Sequence, residues 1–320
     1  MDIIMAELLP GYYTTTSKVN MGIDQLNIIY GIADQLKFVE GAGGLPFIAV
    51  RNQSATALIS LHGGQILSFK PIDEDADMLF LGSKSSYEDG KAIRGGIPVC
   101  WPWFGPDPKG LQRPNHGFVR NHLWTVLHTA TTDTETKVGL QFLESYKKEK
   151  PWKQPFALTL EIAVGKTLGL ELKTRNTDDK AFSITQAFHS YFYVGDINQV
   201  QVLGLEGCDY FDKLDQGTQK SHTSAIVINE EVDRIYVDVK NPLVIDDLAF
   251  KRRIQIASPN SATGVVWNPW IKTSKKIADL KNRDYKHFIC VETGNIAFDL
   301  INIPPGGEHS LLSNFKILRD

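Results

Sequence analysis

Phe156-Ala157-Leu158-Thr159-Leu160-Glu161-Ile162-Ala163-Val164 runs into Gly165-Lys166-Thr167 and then into Leu168-Gly169-Leu170-Glu171-Leu172-Lys173-Thr174. Phe156, Leu158, Leu160 and Ile162 recur at every second position, which puts them on one face of an extended strand. Gly165-Lys166-Thr167 has the composition of a hairpin-like turn, so the second segment is expected to return beside the first. This unit sets the expectation for the rest of the chain.

Working outward, short runs rich in β-branched and aromatic residues follow one another. They are Thr56 to Leu61, Gln65 to Phe69, Trp124 to Thr129, Lys137 to Leu143, Asp233 to Val239, Leu243 to Asp247, Arg252 to Ala257, Gly264 to Trp267, Phe288 to Glu292 and Ser310 to Ile317. Ala181 to Val194 reads as one long apolar strand with a bend. Helical spacing appears near Lys275 to Leu280 and in Gly22 to Leu36, the latter broken by Gly41-Ala42-Gly43-Gly44. The strand–helix alternation of a parallel sheet is absent. The expected fold is all-β: a large antiparallel β-sandwich with few short helices, formed by residues 46–320 as a single domain. Residues 1–45 are expected to be a partly helical N-terminal extension.

The chain has 320 residues, of which 42% are hydrophobic and 22% charged, with a net charge of −3. That supports a large core. No long basic run exists, so nucleic acid is not an expected partner. Three cysteines at Cys100, Cys208 and Cys290 form no CxxC pair and read as reduced thiols of a cytoplasmic protein. No apolar stretch has the length of a membrane span, and Met1 to Pro10 lacks the features of a signal peptide. A monomer or weak dimer is expected.

Several chemistries lack their signatures. Gly41-Ala42-Gly43-Gly44 is not a dinucleotide fingerprint, and there is no P-loop, HExxH or Gly-x-Ser-x-Gly elbow. His116 and His122 are spaced too far apart for a helical metal pair. Neither a metal nor any other cofactor is expected.

Five segments do carry chemistry. Ala187-Phe188-His189-Ser190-Tyr191-Phe192 places a histidine in an apolar strand, and Val291-Glu292-Thr293-Gly294-Asn295 places a carboxylate after an apolar run. A buried carboxylate needs a partner. A His and a Glu across one pocket can give and take a proton near neutral pH. Ile93-Arg94-Gly95-Gly96-Ile97-Pro98-Val99-Cys100-Trp101-Pro102-Trp103-Phe104-Gly105, with His116-Gly117-Phe118-Val119-Arg120 close behind, supplies two arginines suited to an anion. Val266-Trp267-Asn268-Pro269-Trp270 offers flat aromatic faces on which sugars rest. Read singly, each has a structural alternative: His189 as a core histidine, Arg94 as a loop brace, Arg120 in a surface ion pair, His116 as a loop cap, Asp233 paired with Arg234. Trp101 and Trp103 read as loop packing, His62 as structural and Asp279 as a solvated helix residue.

Taken together, IRGGIPVCWPWFG, HGFVR, AFHSYF, VDRIY, VVWNPW and VETGN resemble the hexose-6-phosphate mutarotases, also called glucose-6-phosphate 1-epimerases, of the aldose 1-epimerase and galactose-mutarotase-like superfamily. The resemblance spans roughly Phe47 to Leu318. It implies the galactose mutarotase-like supersandwich. It also implies His189 as general acid and Glu292 as general base, with Arg94 and Arg120 facing a phosphate and His116 and Asp233 at the sugar hydroxyls. Trp267 joins them as an aromatic face. Phe188 and Ser190 stand where the family more usually has Leu and Thr.

The reaction so implied interconverts the α and β anomers of a hexose 6-phosphate. Glu292 takes the proton of O1, His189 protonates the ring oxygen O5, and the open aldehyde recloses on its other face. This needs an imidazolium beside a carboxylate, so His189 is expected to be raised by Glu292 or Asp233. The alternatives are an aldose 1-epimerase of unphosphorylated sugars and a non-catalytic carbohydrate-binding protein on the same fold.

Overall fold

The computed structural model describes residues 21–143, 152–240 and 242–319. The hairpin that opens the reading is present: strands Phe156–Val164 and Leu168–Asn176 pair antiparallel from Val164↔Leu168 to Phe156↔Asn176. They lie within a nine-stranded sheet. Its spatial order is Ile226–Val227, Val200–Leu203, Leu243–Asp247, Arg252–Ala257, Glu308–Leu318, Leu168–Asn176, Phe156–Val164, Thr136–Phe142 and Thr125–Thr131.

An eight-stranded sheet faces it. Its order is Thr218–Ser221, Asp209–Asp212, Val232–Tyr236, Thr263–Asn268, Phe288–Asn295, Gln186–Phe188 and Val99–Cys100, with Tyr191–Tyr193 also pairing to Phe288–Asn295. Leu36–Glu40, Pro46–Arg51, Ala55–Ser60 and Gln65–Pro71 form a four-stranded meander. All pairings between these strands are antiparallel. The α-helices among the described residues are Ile23–Tyr30 and Trp270–Ser274. The fold is the antiparallel β-sandwich read from the alternation.

The main core shows why the alternation is informative. Leu158, Leu160, Ile162, Val164, Leu168, Leu170 and Leu172 point inward and meet Phe188, Val266, Ile289 and Val291 in one buried cluster. In strand Phe288–Asn295 the odd positions Ile289 and Val291 enter that core. The even positions Phe288 and Cys290 belong to a separate cluster with Phe80, Tyr191 and Leu280. A period of two divides the strand between core and site.

Three local readings are corrected. Ala181 to Val194 is not one strand but Phe182–Ile184, Gln186–Phe188 and Tyr191–Tyr193. The chain bends at His189-Ser190, where the Ser190 amide donates to the Phe188 carbonyl at 2.9 Å. His189 therefore sits in a break between strands. The helix expected near Lys275 is displaced to Trp270–Ser274, and turns follow it. Helical spacing from Gly22 to Leu36 is realised only over Ile23–Tyr30. Leu36–Glu40 is a strand paired with Pro46–Arg51, so the meander begins inside the stretch read as an extension. The part of that extension before Met21 lies outside the described residues.

Candidate active site

The face of the eight-stranded sheet turned away from the main core carries the site. Glu292 follows Cys290 on the same face of its strand, and Trp267 is the cross-strand neighbour of Cys290. Asp233 is in turn the cross-strand neighbour of Trp267. His189 enters from the bend beside Phe188, the residue opposite Thr293. The antiparallel register thus brings together side chains as far apart in sequence as Asp233 and Glu292.

Nδ1 of His189 lies 3.3 Å from Oε1 of Glu292. The two are 8% and 1% exposed, and neither His189 Nδ1 nor Glu292 Oε2 makes a well-aligned hydrogen bond. His189 stacks on Tyr191, with ring centroids 4.8 Å apart and planes 7° apart, and meets the edge of Trp267 at 6.1 Å. The rigid aromatic wall fixes the imidazole plane.

The electrostatics run opposite to the expectation for His189. Burial first, then neighbouring His116 and the charges of Arg120 and Arg94, push its pKa well below the ordinary histidine range. Burial first, then Asp233, pushes Glu292 well above the ordinary carboxylate range. Removal from water penalises both charged forms. Burial thus shifts both groups toward their neutral forms, imidazole and carboxyl.

Arg94 comes from a turn that only glycine tolerates. Gly95 and Gly96 have φ of 106° and 61°, and a Cβ on Gly96 would lie 2.1 Å from the Ile66 carbonyl oxygen. The Arg94 guanidinium donates to the Tyr191 hydroxyl at 3.1 Å and approaches Asp279 at 3.4 Å. Asp279 is therefore not merely a solvated helix residue: it is a counter-ion of Arg94. Arg120 donates to the Asn115 carbonyl at 2.9 Å, and its charge acts on His116, His189 and Glu292.

His116 has φ of 63°, and its Nδ1 accepts from the Gly105 amide at 3.3 Å. Its ring stands edge-on to His189 at 5.4 Å. Burial, then Arg120, Lys213 and Arg94, lowers its pKa to about 3. The neutral ring, accepting through Nδ1, carries its proton on Nε2 and can donate from there. Asp233 pairs with Lys213 at 3.1 Å rather than with Arg234.

All seven side chains singled out in the sequence, His189, Glu292, Arg94, His116, Arg120, Asp233 and Trp267, are joined by ring contact, strand register or charge to the His189–Glu292 pair. Tyr191, Lys213, Asp279 and Cys290 are additions. Tyr191 carried a readable signal, being two residues beyond His189. Lys213 had none, because it reaches the site only through the pairing of Asp209–Asp212 with Val232–Tyr236. His62 is structural, with Nε2 at 2.7 Å from the Lys91 carbonyl oxygen, and Trp101 lies wholly in the core.

The arrangement is a buried proton-exchanging pair under a rim of cations, with an aromatic wall. It compares with known proteins as follows. The profile of the aldose 1-epimerase family matches residues 46–316. A provisionally named glucose-6-phosphate 1-epimerase of Cenchrus ciliaris is 35% identical over 283 residues, which is 85% of this chain and 84% of that protein. One of the same name from Escherichia coli K12 is 36% identical over 251 residues, 78% of this chain and 83% of that protein. The crystal structure of a provisionally named mutarotase from Salmonella typhimurium superposes with a TM-score of 0.84 at 30% identity, covering 91% of this chain and 96% of the other. A galactose mutarotase-like protein of Clostridium acetobutylicum shares the fold with a TM-score of 0.71 at 15% identity, over 89% of this chain and 98% of its own. The chain belongs to the aldose 1-epimerase family.

Proposed function

We propose that the protein is an isomerase that interconverts the α and β anomers of hexose 6-phosphates, glucose 6-phosphate foremost. The observation that carries this reading is the buried His189–Glu292 pair, 3.3 Å apart, overlooked by Arg94, Arg120 and Lys213. A sugar needs the pair, and a phosphate dianion needs the cations.

The free site holds one proton on the pair. Its transfer from the Glu292 carboxyl to Nδ1 of His189 yields the imidazolium–carboxylate form. The carboxylate then takes the O1 proton of the bound pyranose, and the imidazolium protonates O5 through its remaining N–H. The C1–O5 bond breaks, the aldehyde turns about C1–C2, and reclosure returns both protons. No electron moves and no group leaves. His116 donates from Nε2 and Asp233 accepts at sugar hydroxyls, while Trp267 presents a ring to the C–H face. Residues Arg94 and Arg120 hold the phosphate.

Anomer exchange of glucose 6-phosphate followed by NMR tests this directly. Wild type accelerates exchange and His189→Ala does not. No acceleration over buffer by the wild type sinks the reading. Equal acceleration of glucose and glucose 6-phosphate transfers it to unphosphorylated sugars.

A further inference from the structure

We propose that the His189–Glu292 site is also a binding site for a thiophilic divalent cation such as Zn²⁺, held by His189, Cys290 and Glu292, which shuts out the sugar while it is bound. Only the inhibitory consequence rests on the mutarotase reading; the binding does not.

One ligand atom from each of these three residues lies within 4.8 Å of the other two. Cys290 and Glu292 are two apart on one strand, hence on one face. Tyr191 is the register partner of Cys290, which brings the neighbouring bend and His189 over the same spot. Beside this clustering, Glu292 Oε2 is buried without a hydrogen-bond partner, and His189 Nδ1 has only the 3.3 Å approach of Glu292 Oε1. Orphaned buried polar atoms call for a ligand.

The donor set is a zinc set: imidazole nitrogen, thiolate sulfur and carboxylate oxygen. Binding displaces the thiol and carboxyl protons to solvent. Thiolate and carboxylate then cancel the two charges of the ion, and a neutral filled site suits a place shielded from water. Zinc bond lengths of about 2.0–2.3 Å put tetrahedral ligands about 3.3–3.8 Å apart. The donors must therefore draw inward by about an ångström, as that spacing requires. Arg94, Arg120 and Lys213 oppose a further cation, so affinity falls below that of a structural zinc site. The triad has no sequence signature, because spacing motifs describe ligands on one helix or loop and these come from two chain segments.

Equilibrium dialysis of the full chain against Zn²⁺, with Co²⁺ as the spectroscopic probe, tests the site. The expected result is one bound Zn²⁺ whose affinity drops at least tenfold in Cys290→Ser and in Cys290→Ala but not in Cys208→Ser. Co²⁺ should show thiolate-to-metal charge transfer in the wild type and in Cys208→Ser. If both Cys290 variants fail to fold, the Co²⁺ spectrum of Cys208→Ser decides alone, and a missing thiolate band overturns the proposal. Equal Zn²⁺ affinity in wild type and folded Cys290 variants overturns it too. In the active enzyme Zn²⁺ should raise KM for glucose 6-phosphate, reversibly with chelator. A chain that binds Zn²⁺ through Cys290 but does not exchange anomers keeps the site and loses the functional reading; a mutarotase indifferent to Zn²⁺ does the reverse.

Discussion

Nδ1 of His189 stands 3.3 Å from Oε1 of Glu292 in surroundings that drive the histidine down in pKa and the glutamate up. The consequence is a pH profile with unusual ownership. Free groups would lose protons in the order carboxyl, then imidazolium, near pH 4.3 and about 6.5. Here the acid limb of kcat/KM marks a second proton reaching the lowered imidazole. The alkaline limb marks ionisation of the raised carboxyl, the point at which the pair loses its last proton. NMR titration should find the His189 ring neutral in the free enzyme at pH 6.5, where an ordinary histidine is about half charged. A ring that titrates at or above its ordinary value contradicts this account.

Removing either member of the pair should cost most of the catalysis. His189→Ala and Glu292→Gln should each lower kcat by on the order of 10²- to 10⁴-fold, the range for a positioned acid or base. The double variant should lose little more than the worse single one, because the pair passes one proton and acts as a unit. Anomer-exchange rates by NMR check this. Multiplying losses would show two independent groups.

Phosphate selectivity is expected to reside in the arginines. A charged hydrogen bond is worth about 1.5–3 kcal/mol. Arg94→Ala and Arg120→Ala should therefore each lower kcat/KM for glucose 6-phosphate by about 10- to 150-fold, as that energy range dictates. Both should leave the slow turnover of glucose nearly unchanged. Ratios of kcat/KM for the two sugars measure the effect, and an unaltered ratio in both variants rejects the assignment.

Tyr191 links the arginine to the histidine: its hydroxyl accepts from Arg94 and its ring stacks on His189. Tyr191→Phe keeps the stack and removes the hydrogen bond. It should raise KM for the phosphorylated sugar several-fold while kcat holds. A fall in kcat with KM unchanged would place the role of the hydroxyl at the proton transfer instead.

The loop carrying His116 depends on the next residue. Gly117 has φ of 76°, and a Cβ there would lie 1.7 Å from the Trp101 carbonyl oxygen. Gly117→Ala combines left-handed strain with a backbone clash and should destabilise by about 2–4 kcal/mol. Denaturant unfolding measures it. A loss below about 0.5 kcal/mol, the size of an ordinary surface substitution, would mean that the loop relaxes freely.

The fold was readable because strand period and turn chemistry are local. Phe156 to Val164 alternates in the sequence as it does in space, and Leu243–Asp247 and Arg252–Ala257 begin and end where their β-branched runs do. The long apolar run through His189 was read as one strand with a bend, whereas the structure divides it into three short strands. Apolar continuity does not show where the strand breaks, which one backbone hydrogen bond at Ser190 decides.

Residue types alone marked His189, Glu292 and Arg94 as chemically capable; Asp233 was added only by the family resemblance, which also ordered them. Sequence could not say which charges face which. That Asp233 answers Lys213 and not its neighbour Arg234, and that Asp279 answers Arg94, follow from strand register and loop packing between distant segments. Nor could it tell the protonation of the pair, because desolvation is a property of the assembled cleft. Chemical identity is carried by each residue, whereas burial and charge proximity exist only once the sheets have closed over them.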